Sequence, residues 1–289
     1  MDGLILRLNQ QGLLGRLLRI LQKLGLLVFA FRVYEWLIAF KAPAKQARPV
    51  QADKDSYPLP PPDLRVLVAG TPSAEWFVNF GEAMFQTIVS LLRQQAVPAE
   101  NLRAVLEFGC GCGRVLRYWD RVHGPTIYGT DYNPRLIAWC RANLPFATTD
   151  VNQLQPPLSY ADQSLDFIYV ISVFTHLAPE SQMAWINELT RILTPGGYLL
   201  ITTHGESFRH KMRPTELAAF EAGQLVVRFE ETSGTNLCSA YHPQAYVRSH
   251  LAQGYEICQF VPAGQQEAIH QDIYLLRKLT KPILRDICI

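Results

Sequence analysis

Residues 104–113 read Ala-Val-Leu-Glu-Phe-Gly-Cys-Gly-Cys-Gly, a short apolar run that ends in an acid and then three alternating glycines, Gly109, Gly111 and Gly113. A helix-like stretch over 114–121 follows at once. Strand, glycine turn, helix is the geometry that lets backbone approach a nucleoside-containing ligand with no Cβ in the way. The spacing G-x-G-x-G departs from the dinucleotide fingerprint G-x-G-x-x-G, and Glu107 in front of it repels a diphosphate. A P-loop is excluded, because the chain contains no Gly-Lys-Ser or Gly-Lys-Thr.

Moving downstream, 126–130 reads as a second strand with Asp131 at its tip, 18 residues past Gly113. An acid there is placed to accept ribose hydroxyls; its plainer role is to cap a helix over 133–143. Residues 146–151 form a third strand candidate ending at Asp150 and Val151. The run 165–172 is apolar throughout, as suits a strand covered on both faces. A helix over 179–193, the turn Thr194-Pro195-Gly196-Gly197 and a fifth strand over 198–203 follow. The alternation then lapses over 205–240, which holds a helix candidate (215–222) and a strand candidate (225–230). It resumes with a helix over 243–252 and strands over 255–261 and 268–277, whose short connection makes them an antiparallel pair. Upstream, 74–96 has helical periodicity.

The ordered set Glu107-x-Gly109-x-Gly111-x-Gly113, Asp131, Asp150 and Leu193-Thr-Pro-Gly-Gly-Tyr-Leu199 closely resembles the class I S-adenosylmethionine-dependent methyltransferases, and most the small-molecule enzymes of types 11, 12 and 25. The resemblance spans about residues 70–280. It implies an α/β fold: a Rossmann-like, seven-stranded, mostly parallel sheet with a terminal antiparallel hairpin and helices on both faces, here with an N-terminal helical extension. The cofactor implied is S-adenosylmethionine, held by Glu107, Gly109, Cys110, Gly111, Gly113, Asp131, Tyr132, Asp150, Val151 and Ser172. The activity implied is methyl transfer to a small-molecule acceptor, lipid-like ones included; the alternative is a non-catalytic member that binds or scaffolds. Inserts before the last hairpin shape the acceptor pocket in this family, which points to 205–242.

Methyl transfer from a sulfonium needs alignment and dehydration more than a dedicated catalytic group. A histidine could take the proton of a hydroxyl or carboxyl acceptor. His176, four residues past strand four, is the first candidate and His204, at the end of strand five, the second; Tyr160 and His242 lie in flanking loops. Each histidine reads equally as a hydrogen-bonded loop residue. Amino-methylating enzymes of DNA carry [D/N]-P-P-[Y/F] after strand four, where this chain has Ile171-Ser-Val-Phe174, and no Pro-Cys nucleophile for cytosine C5 chemistry occurs.

Net charge is +2, with 18% charged residues, which indicates a globular chain without the basic field of a nucleic-acid binder. The balance is uneven: residues 1–48 hold eight Lys/Arg against two Asp/Glu, and the remainder 19 against 23. Residues 13–40 read as one long amphipathic helix, too often interrupted by charge to span a bilayer. That helix fits a lid or homodimer contact, or an interfacial membrane helix. The domain reading is an extension over 1–48, a Pro-rich linker over 49–69 and a catalytic domain over 70–289. Six scattered cysteines without a C-x-x-C pair point to no zinc or other metal, no disulfide framework and a reducing cytoplasm.

Overall fold

The computed structural model describes residues 20–40, 57–263 and 270–280. Nine strands occur among them: β1 (Ala104–Phe108), β2 (Thr126–Asp131), β3 (Ala147–Val151), β4 (Leu165–Val170), β5 (Leu193–Thr203), β6 (Val226–Arg228), β7 (Ser239–Tyr241), β8 (Tyr255–Val261) and β9 (Asp272–Lys278). Seven form one sheet in the order β3-β2-β1-β4-β5-β9-β8. The first five are parallel, and β9 runs antiparallel to both β5 and β8. The chain order reverses between β1 and β4, which opens a crevice beyond their carboxyl ends.

Central strands bury both faces, and alternate side chains go to opposite sides. Phe167, Tyr169, Tyr198 and Leu200 pack against α3 (Ala74–Gln94) and α4 (Pro134–Asn143). Ile168, Val170, Leu199 and Ile201 pack against α5 (Pro179–Ile192) and the π-turn Val247–Leu251. Ser73 caps α3 by accepting from Trp76 N at 3.1 Å, and Asn133 caps α4 by accepting from Arg135 N at 3.0 Å. The fold is therefore the doubly covered, mostly parallel sheet with an antiparallel edge.

Several local expectations differ from what folds. No α-helix follows the glycine loop: turns lead into a 3₁₀ helix, Leu116–Arg121. Every side chain from Gly111 to Trp119 is buried, so the segment lacks the solvent-facing stripe of an amphipathic helix. The Pro195-Gly196-Gly197 turn lies inside β5 as a bulge, since Leu193 already pairs with Leu165 before Tyr198 pairs with Phe167. The linker ends early, at α2 (Pro62–Ala69).

The long N-terminal helix is broken within its described part; residues 13–19 lie outside the described residues. Gly25 takes φ +68°, with Leu26 N donating to Leu21 O (2.9 Å) and Gly25 N to Gln22 O (3.1 Å). This pair of bonds is a Schellman stop, after which α1 (Leu27–Phe40) starts afresh. Leu27 and Phe31 of α1 bury against Leu237, in the region after β5 that also holds α6 (Pro214–Glu221) and the β6–β7 ribbon. Among the described residues no helix is long and apolar enough to cross a membrane.

Candidate active site

A cleft of about 950 Å³, counted to its open mouth, lies at the carboxyl ends of β1, β2 and β4. Its floor is Phe108 at the end of β1 with Gly109 and Gly111 beyond it, and Asp131 at the end of β2 with Tyr132 and Asn133 beyond it. Asn152, Gln153 and Leu154 close one side; Ser172, Val173, His176 and Leu177 after β4, with Trp185 of α5, close another. Leu67 and Val68 of α2 and Thr235 and Asn236 of the β6–β7 region form the roof, tied together by Asn236 Nδ2 donating to Leu67 O at 2.7 Å.

The glycines are required by space as well as by conformation. Gly109 has φ +78°, and a Cβ there would lie 2.3 Å from Val173 Cγ2; Gly111 has φ +56°, and a Cβ would lie 2.6 Å from Val68 Cγ2. The loop's amides are spent internally: Gly109 N and Cys110 N both donate to Thr130 O (2.8 and 2.9 Å), Gly111 N to Asp131 Oδ2 (3.0 Å) and Gly113 N to Cys110 O (2.9 Å). Phosphate cradles work by turning such amides outward. The donor set therefore does not suit a diphosphate.

Asp131 is buried, with Oδ1 accepting from Asn133 N at 2.8 Å. Burial pushes its carboxyl up to about 6, opposed by the Asn133 and Gly111 amides. At neutral pH it is an anion whose remaining lone pairs suit ligand hydroxyls. The residues present thus fit an adenosyl group without phosphate: bare backbone floor, one buried carboxylate at the β2 tip and apolar walls.

His176 sits on the cleft wall within the 3₁₀ turn Phe174–His176. Its Nδ1 lies 2.7 Å from Cys238 O; facing a carbonyl, that nitrogen carries the proton and Nε2 is the basic one. The β6–β7 region grips the same turn, with Gly234 N donating to His176 O (2.7 Å) and Ala178 N to Ser233 Oγ (2.9 Å). Ser172 takes φ +60°, its N donating to Thr202 Oγ1 at 2.9 Å.

The sequence candidates divide. Gly109, Gly111, Asp131, Tyr132, Ser172 and His176 line the cleft together. Glu107, Cys110 and Gly113 lie off the cleft wall: Glu107 accepts from Tyr169 Oη at 2.9 Å, and a Cβ on Gly113 would meet Leu144. Cys110 is buried beside Cys140. Asp150 faces outward from the edge strand, where Arg141 Nη2 holds it at 2.7 Å, and Val151 beside it is exposed. The strand tip delivers Asn152 and Gln153 instead. His204 stands behind His176, ring centroids 6.3 Å apart, and lies tilted against Phe208 at 4.1 Å. Burial drives it well below the ordinary histidine range, so it is neutral. His242 is fully buried and pushed down to about 3, donating to Gln182 Oε1 at 3.2 Å. Tyr160 packs edge-on against Tyr128, away from the cleft. Sequence reasoning missed Arg114, Trp185 and Asn236; a charged residue straight after the third glycine was the one available signal.

Residues 106–201 match the family described as a methyltransferase domain. A tRNA N(3)-cytidine methyltransferase of Gallus gallus is 28% identical over 111 residues, 35% of this chain and 30% of that protein. A fatty-acid O-methyltransferase of Mycolicibacterium smegmatis is 35% identical over 106 residues, 35% of this chain and 36% of that protein. The chain thus spans about a third of the length of these curated relatives. A solved S-adenosylmethionine-dependent methyltransferase of Methanosarcina mazei shares the fold at TM-score 0.50 and 22% identity, covering 65% of this chain and 98% of that one.

Proposed function

We propose that this chain is a class I S-adenosylmethionine-dependent methyltransferase and moves the cofactor's methyl group to an acidic oxygen of a small-molecule acceptor. Bound S-adenosylmethionine supplies an electrophilic methyl carbon activated by its sulfonium. The observation that carries the reading is the pairing, in one cleft, of a phosphate-averse glycine floor with the oriented imidazole of His176. Gly109 and Gly111 provide the close backbone approach, and Asp131 the acceptor for ribose hydroxyls. Phe108, Val173, Leu177 and Trp185 exclude water from the wall on which His176 sits.

His176 is the candidate base. The Cys238 carbonyl holds its proton on Nδ1, which turns Nε2 into the site that takes a proton from an acceptor hydroxyl, or from a carboxylic acid that enters the apolar cleft protonated. His204, buried and neutral, is placed to support that ring and not to touch the acceptor. The fatty-acid enzyme among the relatives methylates an acid oxygen, and the apolar wall suits an acceptor with a hydrocarbon portion. The Gallus gallus relative acts on tRNA, so tRNA belongs in the test. Five described cysteines are free thiols, in keeping with a reducing cytoplasm.

Calorimetry with S-adenosylhomocysteine and NAD comes first, with binding expected for the former alone. Methyl-labelled cofactor is then offered with medium- and long-chain acids, dicarboxylic acids and unfractionated tRNA. Labelled methyl esters are expected, with loss of about 10²- to 10⁴-fold in rate for His176→Gln. Cofactor binding without transfer to any acceptor would favour the scaffold alternative, and label in tRNA would replace the acceptor class.

A further inference from the structure

Four arginines among the described residues are buried: Arg65, Arg114, Arg117 and Arg228. Three have hydrogen-bond or ion-pair partners, although Arg117 Nη1 is itself left buried without one. Arg65 donates to Pro72 O at 2.8 Å and to Pro60 O, Arg117 to Tyr57 O at 2.5 Å and Pro58 O at 3.2 Å, and Arg228 pairs with Glu216 at 2.5 Å. Arg114 has neither a hydrogen bond nor an ion pair with any described residue, and its Nε is wholly buried without a partner. It is also the one of the four that lines the cleft.

We propose that Arg114 is a carboxylate-binding residue, and that the carboxylate it takes is the one on the cofactor's amino-acid tail. The assignment rests on the cofactor reading above and extends it to a residue that reading does not use. The guanidinium lies 4.1 Å over the Phe80 ring and 5.1 Å from the Trp76 centroid, so the aromatic pair of α3 covers its plate. What remains for recognition is the edge of the plate, the part that donates bidentately to a carboxylate. The backbone beneath it is fixed: a Cβ on Gly81 of α3 would lie 2.1 Å from Arg114 O, so helix and loop are in direct contact at this point.

A guanidinium buried without a counter-ion is costly, and a ligand anion relieves that cost. Burial lowers Arg114 to about 10, which leaves it charged at neutral pH. The carboxyl whose charge acts on Arg114, Glu107, is engaged by Tyr169 Oη and pushed by burial up to about 8, so it supplies little countercharge at neutral pH. A carboxylate in this cleft could belong to the cofactor or to an acid acceptor. Position decides between them: Arg114 is bonded directly to Gly113 at the end of the glycine loop, whereas the candidate base stands on the β4 wall.

Calorimetry on the full chain tests this with two ligands. S-adenosylhomocysteine carries the amino-acid tail, and 5′-methylthioadenosine lacks it. Arg114→Met is expected to weaken S-adenosylhomocysteine about 10- to 100-fold while leaving methylthioadenosine within about threefold. Arg114→Lys should restore part of the loss. Equal weakening of both ligands, or none of either, overturns the proposal. Unchanged S-adenosylhomocysteine binding with a raised KM for an acid acceptor assigns the carboxylate to the acceptor, and so overturns it too. Should Arg114→Met fail to fold, the wild type with the α-carboxamide of S-adenosylhomocysteine replaces it, and an affinity equal to that of the acid also overturns the proposal. If the wild type binds neither nucleoside, the cofactor reading itself has failed.

Discussion

Glu107→Gln isolates the cost of placing an acid just before the glycine loop. Glu107 is 3% exposed at the end of β1 and accepts from Tyr169 Oη, while burial pushes its carboxyl from 4.5 up to about 8. A carboxyl raised in the folded state binds its proton more tightly there than in the unfolded chain. Its stabilisation is complete below about pH 4.5 and is lost as pH rises through about 8. With those two values, the loss amounts to about 3 kcal/mol by pH 7 and about 5 kcal/mol well above pH 8, taking 1.36 kcal/mol per unit. Glutamine keeps the shape and the acceptor for Tyr169 but cannot ionise. Urea unfolding at pH 5, 7 and 9 should therefore find the two proteins within about 1 kcal/mol at pH 5, with the glutamine variant ahead by several kcal/mol at pH 9. A difference between them that stays constant across this range would refute the argument, because it would mean that Glu107 does not titrate there. A wild type that gains on the variant with rising pH would show instead that Glu107 is an ionised partner of Arg114.

Other perturbations reach other parts of the molecule. Gly109→Ala forces a left-handed backbone on alanine and drives its Cβ into Val173, so it should cost about 2 kcal/mol or more in thermal unfolding and abolish nucleoside binding in calorimetry. Arg228→Met leaves the largely buried Glu216 without its main partner and should cost about 3–5 kcal/mol in urea unfolding. Glu216 is held down to about 2 by Arg228 and Arg213, so the stability it contributes is present above about pH 4.5 and declines as pH falls toward 2; near-UV circular dichroism on acid titration checks the sign. Phe31→Ala removes the ring that α1 buries against Leu237 and should speed proteolytic cleavage within 229–237, with the sheet's melting transition little changed.

Local spacing carried most of the sheet and the floor of the site. Gly109, Gly111 and Asp131 were legible because each sits at a strand end where backbone conformation or a turn dictates the residue type. Asp150 shows where such reasoning stops. On an edge strand only one face is buried, and Thr149, not Asp150, occupies it; the residues that reach the cleft come two positions later. Gly25 inside an apolar run gave no signal that the helix stops there, since one glycine costs a helix only about 1 kcal/mol. Arg114 escaped notice for a different reason. Whether a buried cation has a partner depends on the Tyr57 and Pro58 carbonyls serving Arg117 and on Glu107 being engaged by Tyr169, which are properties of the folded chain.

The roof over the cleft is put together from three distant stretches of sequence: α2, the tip near Asn236, and α1 bearing on Leu237 from outside. A fragment trimmed to start at α3 would keep the glycines, both covers of the sheet and the candidate base, yet would lose the outer bracing and the lintel to which Asn236 is pinned. Such a shortened protein would look sound by circular dichroism and release its nucleoside quickly. A weak measured affinity would then report on missing masonry, not on the chemistry of the pocket.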